Sequence, residues 1–359
     1  MLIPILCCAV WAYLLVFRAR FWLIRDESEP VGEAPARRVA VVIPARDEAA
    51  TIGRTVRSLA AQSYAAELAI FVVDDHSADG TGDIARAEGA RVMEAEPLPP
   101  GWTGKMWAVS QGLEHALALN PDFVLLTDAD IEHAPDNITS LVARAERDRL
   151  DLTSYMVRLE NRTPAERFAI PAFVFFFFKL YPPGLGTRGA AGGCMLARAS
   201  ALRRIGGVSR IRGEVIDDCA LAREISRSGG RLWLGLTSKT RSLRSYGTFG
   251  EIAHMIARTA FTQLNYSALM LAGTVFGMTL IYLAPPAFTM AGSIPGAIAW
   301  LLMSVSYAPM LRFYGQSVLW APLLPAVALF YTGATIQSAV RYWTGRGGHW
   351  KGRVQAARR

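Results

Sequence analysis

The sequence predicts an α/β domain built on a mainly parallel sheet and carried between N-terminal and C-terminal transmembrane helices. Three observations point there. Residues 38–160 alternate strand-like and helix-like segments. Leu2 to Phe17 are sixteen consecutive uncharged, mostly apolar residues, and the 53 residues from Thr259 to Leu311 contain no Lys, Arg, Asp, Glu or His. The chain of 359 residues is 52% hydrophobic and 19% charged, against roughly 45–50% and about 25% for soluble domains. A disordered chain, a collagen-like chain and a small disulfide scaffold are thereby excluded.

The N-terminal run, with Arg18 and Arg20 snorkelling, extends to Ile24, long enough for the roughly 20 residues a span requires. It has no basic leader and no small-residue cleavage site, so residues 1–24 read as an uncleaved anchor. Arg18, Arg20 and Arg25 follow it, which places the next domain in the cytosol.

Val39–Ile43 is a short β-rich run, and Ala49–Gln62 has helical spacing through Ile52, Val56 and Leu59. Ala69–Val73 is a second strand and Asp79–Glu88 a helix with Asp79 as its cap. Lys105–Leu119 is helical, Phe123–Thr127 a strand, Asn137–Arg147 a helix and Leu152–Val157 a further strand. Phe168–Phe178 (FAIPAFVFFFF) is too short to span and reads as an interfacial or a buried segment.

The C-terminal membrane region, 264–343, contains two spans, roughly 266–288 and 294–311, broken by Pro285-Pro286 and by Gly292 to Gly296. A third charge-free run, Phe313–Val340, follows Arg312. One N-terminal and three C-terminal spans would put the basic tail, 344–359, outside, against the positive-inside rule. One C-terminal segment is therefore expected to re-enter or to lie in the interface, which leaves the tail cytosolic.

The net charge of +8 is concentrated. From Arg341 onward there are six basic residues and no acidic one, and between Arg198 and Arg244 eleven basic against four acidic. Beside long apolar runs this favours anionic lipid or a phosphorylated substrate over nucleic acid. The four cysteines show no metal or disulfide spacing and read as free thiols.

Chemistry-bearing residues fall at strand ends, where ligands bind in such sheets. Pro44-Ala45-Arg46-Asp47-Glu48 follows the first strand and Asp74-Asp75-His76-Ser77 the second. Carboxylates there accept hydrogen bonds from a nucleobase edge, and Arg46 pairs with phosphate or carboxylate; alternatively each is a strand exit with a helix cap. Asp128-Ala129-Asp130 follows an apolar strand, and in an extended chain both carboxylates would face one site. That pair suits Mg²⁺ or Mn²⁺ completed by a diphosphate, a solvated turn being the alternative.

Asp217-Asp218 are adjacent acids whose mutual repulsion raises one pKa toward that of a general base. They also suit a helix N-terminus. Pro99 to Lys105 (PPGWTGK) opens a helix with anion-binding character, and Gly189–Met195 (GAAGGCM) lines an acceptor pocket or makes a turn.

Together, VVIPARDE, VVDDHSADGT, LLTDADI and VIDDCALA, in this order and spacing, resemble family 2 glycosyltransferases of the GT-A fold. More narrowly, PPGWTGKMWAVSQGL, AAGGCMLARASAL, RTAFTQLNYS and GGHWKGR resemble bacterial hopanoid-associated glycosyltransferases. The resemblance implies inverting transfer from a nucleotide-diphosphate sugar, UDP-linked, with a divalent metal. It divides a cytosolic domain, 38–258, into a nucleotide-binding half, 38–130, and an acceptor half, 131–258. It assigns Pro44, Ala45, Arg46, Glu48, Asp75, Lys105 and Asp128 to the donor nucleotide and Asp130 and Asp128 to the metal. Asp218, with Asp217 beside it, falls on the catalytic base, and Gly193, Cys194 and Arg258 on the acceptor region. The Q-x-x-R-W motif of many membrane members is reduced here to Arg258, which argues against processive synthesis. The expectation is a multi-pass enzyme of the bacterial cytoplasmic membrane that adds one sugar to a membrane lipid, hopanoid-related, without nucleic acid. A processive polysaccharide synthase and a non-catalytic lipid-binding scaffold are the rivals.

Overall fold

The computed structural model describes residues 2–23, 25–29, 32, 34–345, 349–350 and 353–354. Most of the expected basic tail, including residues 347–348 and 351–352 of the GGHWKGR stretch, lies outside the described residues. The chain divides into two compact units: 25–159 with 183–244 and 349–359, and 1–24 with 160–182 and 245–348.

The first unit holds a nine-stranded sheet. Its strands are β1 (Val39–Ala45), β2 (Leu68–Asp74), β3 (Arg91–Glu94), β4 (Phe123–Leu126), β5 (Ile131–Glu132), β6 (Leu152–Arg158), β7 (Gly184–Leu185), β8 (Met195–Arg198) and β9 (Leu232–Ser242). The order is β3-β2-β1-β4-β8-β6-β9-β5, with β7 on β9. β3, β2, β1 and β4 are parallel, whereas β8 runs antiparallel to both β4 and β6. β3, β5, β7, β8 and β9 add to the strands expected from sequence. Because β8 starts opposite the end of β4, with Met195 facing Leu126, the loop before β8 meets the carboxyl ends of β1, β2 and β4.

Every residue of β1 is buried, since helices cover both faces of the sheet. Alternate side chains serve the two faces. Val39, Val41 and Ile43 join Ile52, Val56 and Leu59 of the helix Ile52–Ala60, while Ala40 and Val42 join Met106, Val109 and Leu113 of the helix Gly104–Ala118. At Gly112 this second helix comes so close that an added Cβ would sit 2.6 Å from Val42 Cγ1 and 2.9 Å from Val73 Cγ2. Both neighbours are stiff β-branched side chains. Gly112→Ala is expected to cost about 1–3 kcal/mol by overpacking, read as a lower thermal midpoint in detergent.

The second unit is helical and apolar. Among the described residues, three helices are long and apolar enough to cross a membrane: Ala268–Met290, Ile294–Phe313 and Val318–Trp343. The N-terminal helix corrects the expectation. It stops at Phe17 rather than continuing to Ile24, because Ala19 and Arg20 turn left-handed (φ 48° and 49°) and Trp22 Nε1 folds back to donate to Leu15 O at 2.9 Å. Its 16 residues rise about 24 Å, short of a full span. Phe168–Phe178 lies inside the helix Pro164–Leu180, which starts at a Thr163–Glu166 capping box. Its Phe175 and Phe178 are fully buried, and the Phe175 ring meets Tyr307 at 5.3 Å.

Candidate functional site

The carboxyl ends of β1, β2 and β4 carry two linked clusters. At the first, Ala45 O accepts the Asp75 N–H at 2.8 Å. Arg46 Nη1 then donates to Asp75 O at 2.6 Å and lies 3.4 Å from its buried carboxylate. Asp47 and His76, just beyond the two strands, both hold positive φ (51° and 55°), a conformation that non-glycine residues adopt mainly where surrounding bonds enforce it. Here Asp47 N–H donates to Ser77 Oγ and the Asp47 carboxylate accepts from Ala78 N–H, each at 2.9 Å. Asp79 stands one residue outside its helix, whose N-cap is Gly80; its carboxylate accepts the Thr81 N–H at 3.1 Å and the Ala49 N–H at 2.9 Å.

The second cluster surrounds Lys105, at the start of the helix capped by Thr103. Its Nζ lies 2.8 Å from Asp128 Oδ1 and 3.0 Å from Asp217 Oδ2. Burial alone would lower the lysine pKa, but these two carboxylates hold it well above its ordinary value. Asp217 and Asp218 occupy the first turn of the helix Asp217–Arg227, so the helix-terminus reading holds as well. The environments of the two acids differ. Asp217 is ion-paired, whereas Asp218 accepts only backbone N–H groups, from Gly192 at 2.9 Å and Cys219 at 2.7 Å. Burial, and then the Asp217 charge, push the Asp218 pKa up to about 6, with Lys105 and the two N–H donors opposing. A carboxyl raised toward neutrality in this way is what a general base requires.

Asp128 and Asp130 do not lie on an extended chain. The backbone turns at Ala129–Asp130, so Asp128 faces Lys105 while Asp130 meets Arg244 Nε at 2.7 Å. Burial and the Asp128 charge raise the Asp130 pKa, and Arg244 lowers it. Arg244 Nη2 also lies 2.7 Å from Glu48 Oε1, which joins the clusters. Among the described residues no group of three or more His, Cys, Asp or Glu side chains forms a ready metal cage. Five carboxylates (Glu48, Asp128, Asp130, Asp217 and Asp218) nevertheless stand against the cations Lys105 and Arg244, and Asp128 is close enough for its charge to act on Asp130. That surplus of hard oxygen donors fits Mg²⁺ or Mn²⁺ sharing its coordination with a substrate diphosphate.

A cleft opens here, lined by Lys105, Asp128, Gly192 and Asp217 together with Pro44, Met106, Val109 and Leu126. A Cβ on Gly192 would meet Asp218 Oδ2 at 3.5 Å and Asp128 Oδ2 at 3.8 Å, so the bare backbone leaves the space between them open. Of the expected acceptor residues, Cys194 is buried in the core with its thiol against Asn137, and burial pushes its pKa up to about 12. A Cβ on Gly193 would press on Ile131 and Val157 at 3.2 Å. Neither lines the cleft; Gly192, beside them, does. Arg258 belongs to the helical unit, on the helix Phe249–Gln263.

Sequence reasoning named Gly192 only as part of the stretch Gly189–Met195 and did not single out Arg244. It also passed over the buried chain behind the turn, in which Thr127 Oγ1 donates to Gly193 O at 2.7 Å and meets His133 Nε2 at 3.0 Å. The ring's Nδ1 faces Asn137 Nδ2 at 3.0 Å. Burial drives the His133 pKa down to about 3, so the imidazole is neutral and serves to fix the turn.

Residues 40–206 match the profile of Glycosyl transferase family 2. An uncharacterised protein of Methanocaldococcus jannaschii is 32% identical over 120 residues, 33% of this chain and 46% of that protein. The 4,4'-diaponeurosporenoate glycosyltransferase of Staphylococcus haemolyticus is 33% identical over 138 residues, 37% of this chain and 35% of that protein. The chain thus spans less than half the length of either relative. A mannosyltransferase of Pyrobaculum calidifontis, solved with GDP-Man and Mn²⁺, superposes with a TM-score of 0.59 at 18% identity, covering 93% of this chain and 98% of that one. This likeness shows a shared fold. Residues 40–206 therefore carry a glycosyl transferase family 2 domain, built on the GT-A fold.

Proposed function

We propose that the protein is a membrane-embedded, inverting glycosyltransferase that moves one sugar from a nucleotide-diphosphate sugar, UDP-linked, to a hydroxyl of a membrane lipid. The observation that carries the reading is Asp218, a partly buried acid with a pKa near 6 held across Gly192 from Asp128. Asp75, Arg46 and Glu48 bind the nucleoside, and Lys105 and Arg244 flank the diphosphate. A divalent ion held by Asp130 and Asp128 would neutralise charge on the leaving diphosphate. Asp218 accepts the proton of the acceptor hydroxyl as its oxygen bonds to the anomeric carbon from the face opposite the departing phosphate. That carbon–phosphate-oxygen bond breaks, and the sugar's configuration inverts.

The apolar helices support a lipid acceptor, and the Staphylococcus relative is named for a single acceptor molecule. A hopanoid-related acceptor is the narrower form of the proposal. The location that follows is the bacterial cytoplasmic membrane, with the sheet unit on the cytosolic side. The test is nucleotide release by detergent-purified protein with Mg²⁺ or Mn²⁺, across a panel of UDP- and GDP-sugars, with and without bacterial lipid extract. Release that needs one donor and lipid together supports the reading; release that is unaffected by lipid overturns the lipid acceptor.

Lys105 supplies a sharper check. Its charge lowers the Asp218 pKa, so Lys105→Met is expected to move the acidic limb of the pH–rate profile to higher pH, besides weakening donor binding. A profile that keeps its limb in place would uncouple Lys105 from the base.

A further inference from the structure

Among the described residues three helices are long and apolar enough to cross a bilayer, but their connections differ. Ala268–Met290 and Ile294–Phe313, of 23 and 20 residues, rise about 35 and 30 Å, enough for a hydrocarbon core of about 30 Å. Three residues join them. Gly292 is left-handed (φ 80°), Ser293 N–H donates to Phe288 O at 2.9 Å, and a Cβ on Gly296 would come within 3.1 Å of Thr289 N. The two helices are therefore an antiparallel hairpin, and Tyr314 returns to the end from which the chain left at Tyr266.

Val318–Trp343 begins at that end. Asn161 Nδ2 donates to Tyr314 O at 3.0 Å, and Gln316 Nε2 donates to Asn161 Oδ1 at 3.0 Å and Arg167 O at 2.9 Å. The segment climbs as a 3₁₀ turn, Val318–Leu323, to Pro322, whose carbonyl accepts Trp300 Nε1 at 3.0 Å. Trp300 is thirteen residues before Phe313, about 20 Å along the helix.

The chain then turns back. Tyr331 OH donates to Ala169 O at 3.0 Å, and the Phe330 ring lies 5.8 Å from that of Phe249. Ser338 Oγ accepts the Phe261 N–H at 3.0 Å, and Tyr342 stacks on Tyr266 at 4.5 Å. A spanning helix that started beside Tyr314 would finish near Gly292, about 30 Å from Tyr266; the stacking excludes that path. The turn exposes Leu319 (84%) and Trp320 (52%), apolar side chains suited to acyl chains rather than water. The returning arm lies on the helix Phe249–Gln263, whose Glu251, His254 and Arg258 belong at a headgroup surface.

We propose that Val318–Trp343 is a re-entrant segment that enters and leaves the bilayer from one side, so that Thr344 emerges on the side of the membrane marked by Asn161. The basic residues from Arg341 onward then share that side, as the positive-inside rule favours. The inference is independent of the catalytic reading.

Single cysteines introduced as Arg162→Cys, Ala291→Cys and Thr344→Cys, all at exposed positions, test it in the full-length protein. A membrane-impermeant maleimide is applied to intact spheroplasts and to lysed membranes. The parent chain supplies the background, since its thiols are buried apart from half-buried Cys8. Thr344→Cys and Arg162→Cys are expected to label under one condition and Ala291→Cys under the other. Labelling of Thr344→Cys together with Ala291→Cys, apart from Arg162→Cys, overturns the proposal. Labelling of all three from one side does so too, because the hairpin would then not cross. A reporter fused after Gly345, active on one side only, gives the same reading without substitutions.

Discussion

Asp218→Asn is expected to lower turnover about 10²–10⁴-fold, the range of a positioned general base, while nucleotide affinity stays at the wild-type level. The two effects separate because Asp218 touches no side chain of the donor cluster: its oxygens accept from the Gly192 and Cys219 backbone, and the Lys105 bridge runs from Asp128 to Asp217. Nucleotide release measures the first effect and calorimetric titration with UDP the second. The wild-type rate should fall about tenfold per unit below pH 6, as Asp218, with its pKa about 6, takes up the proton that makes it useless as a base. Retained turnover in the Asn protein, or a rate insensitive to pH across this range, would remove Asp218 from the mechanism.

The same shift has a consequence for stability. An aspartate in the unfolded chain titrates near about 3.9, below its folded value. A raised folded pKa contributes stability that is fully present below the unfolded pKa and is lost as pH rises through the folded one. Wild-type protein therefore pays for the buried charge between about pH 4 and pH 6, and the Asn protein does not. The difference in thermal midpoint, Asn minus wild type, is expected to grow across that window and then level off. A difference independent of pH would mean that Asp218 does not titrate in this range.

What could be read from the chain alone follows from where the information sits. β1, β2 and β4 are buried on both faces, so each is a continuous apolar run that ends in polar residues. β3 and β8 are only four residues long and β5 and β7 only two, and nothing in such short stretches sets them apart from loops. Asp218 and Lys105 were legible because each sits in a local pattern, an acidic pair and a glycine-rich helix start. Arg244 was not, because its partners Asp130 and Glu48 lie 114 and 196 residues away. In the membrane unit, composition measured the length of each apolar run but not its direction. The early end of the first helix depends on two left-handed residues, and the return of the last segment depends on contacts from Asn161 and Trp300.

Arg244→Gln is expected to weaken binding of the nucleotide diphosphate by about 10–100-fold, the worth of one charge-assisted contact of roughly 1.5–3 kcal/mol. Arg244 holds Asp130 and Glu48 at 2.7 Å each. Without its guanidinium those carboxylates face an incoming diphosphate with one cation fewer. The Asp130 pKa, raised by burial and by Asp128 but lowered by Arg244, would also rise further. Metal activation should then require higher pH in the Gln protein, because the ion has to displace a proton from Asp130 as well as enter the site. Arg244→Lys keeps the charge but not the planar fork that reaches two carboxylates at once, so its affinity should fall between those of wild type and Gln. A purely structural clamp predicts the opposite pattern: a lower thermal midpoint in both variants, with unchanged nucleotide affinity and an unshifted pH dependence of metal activation. Titrations of UDP and of Mn²⁺ at pH 6 and pH 8 distinguish the two, since only a residue acting on the diphosphate and on Asp130 moves both constants together.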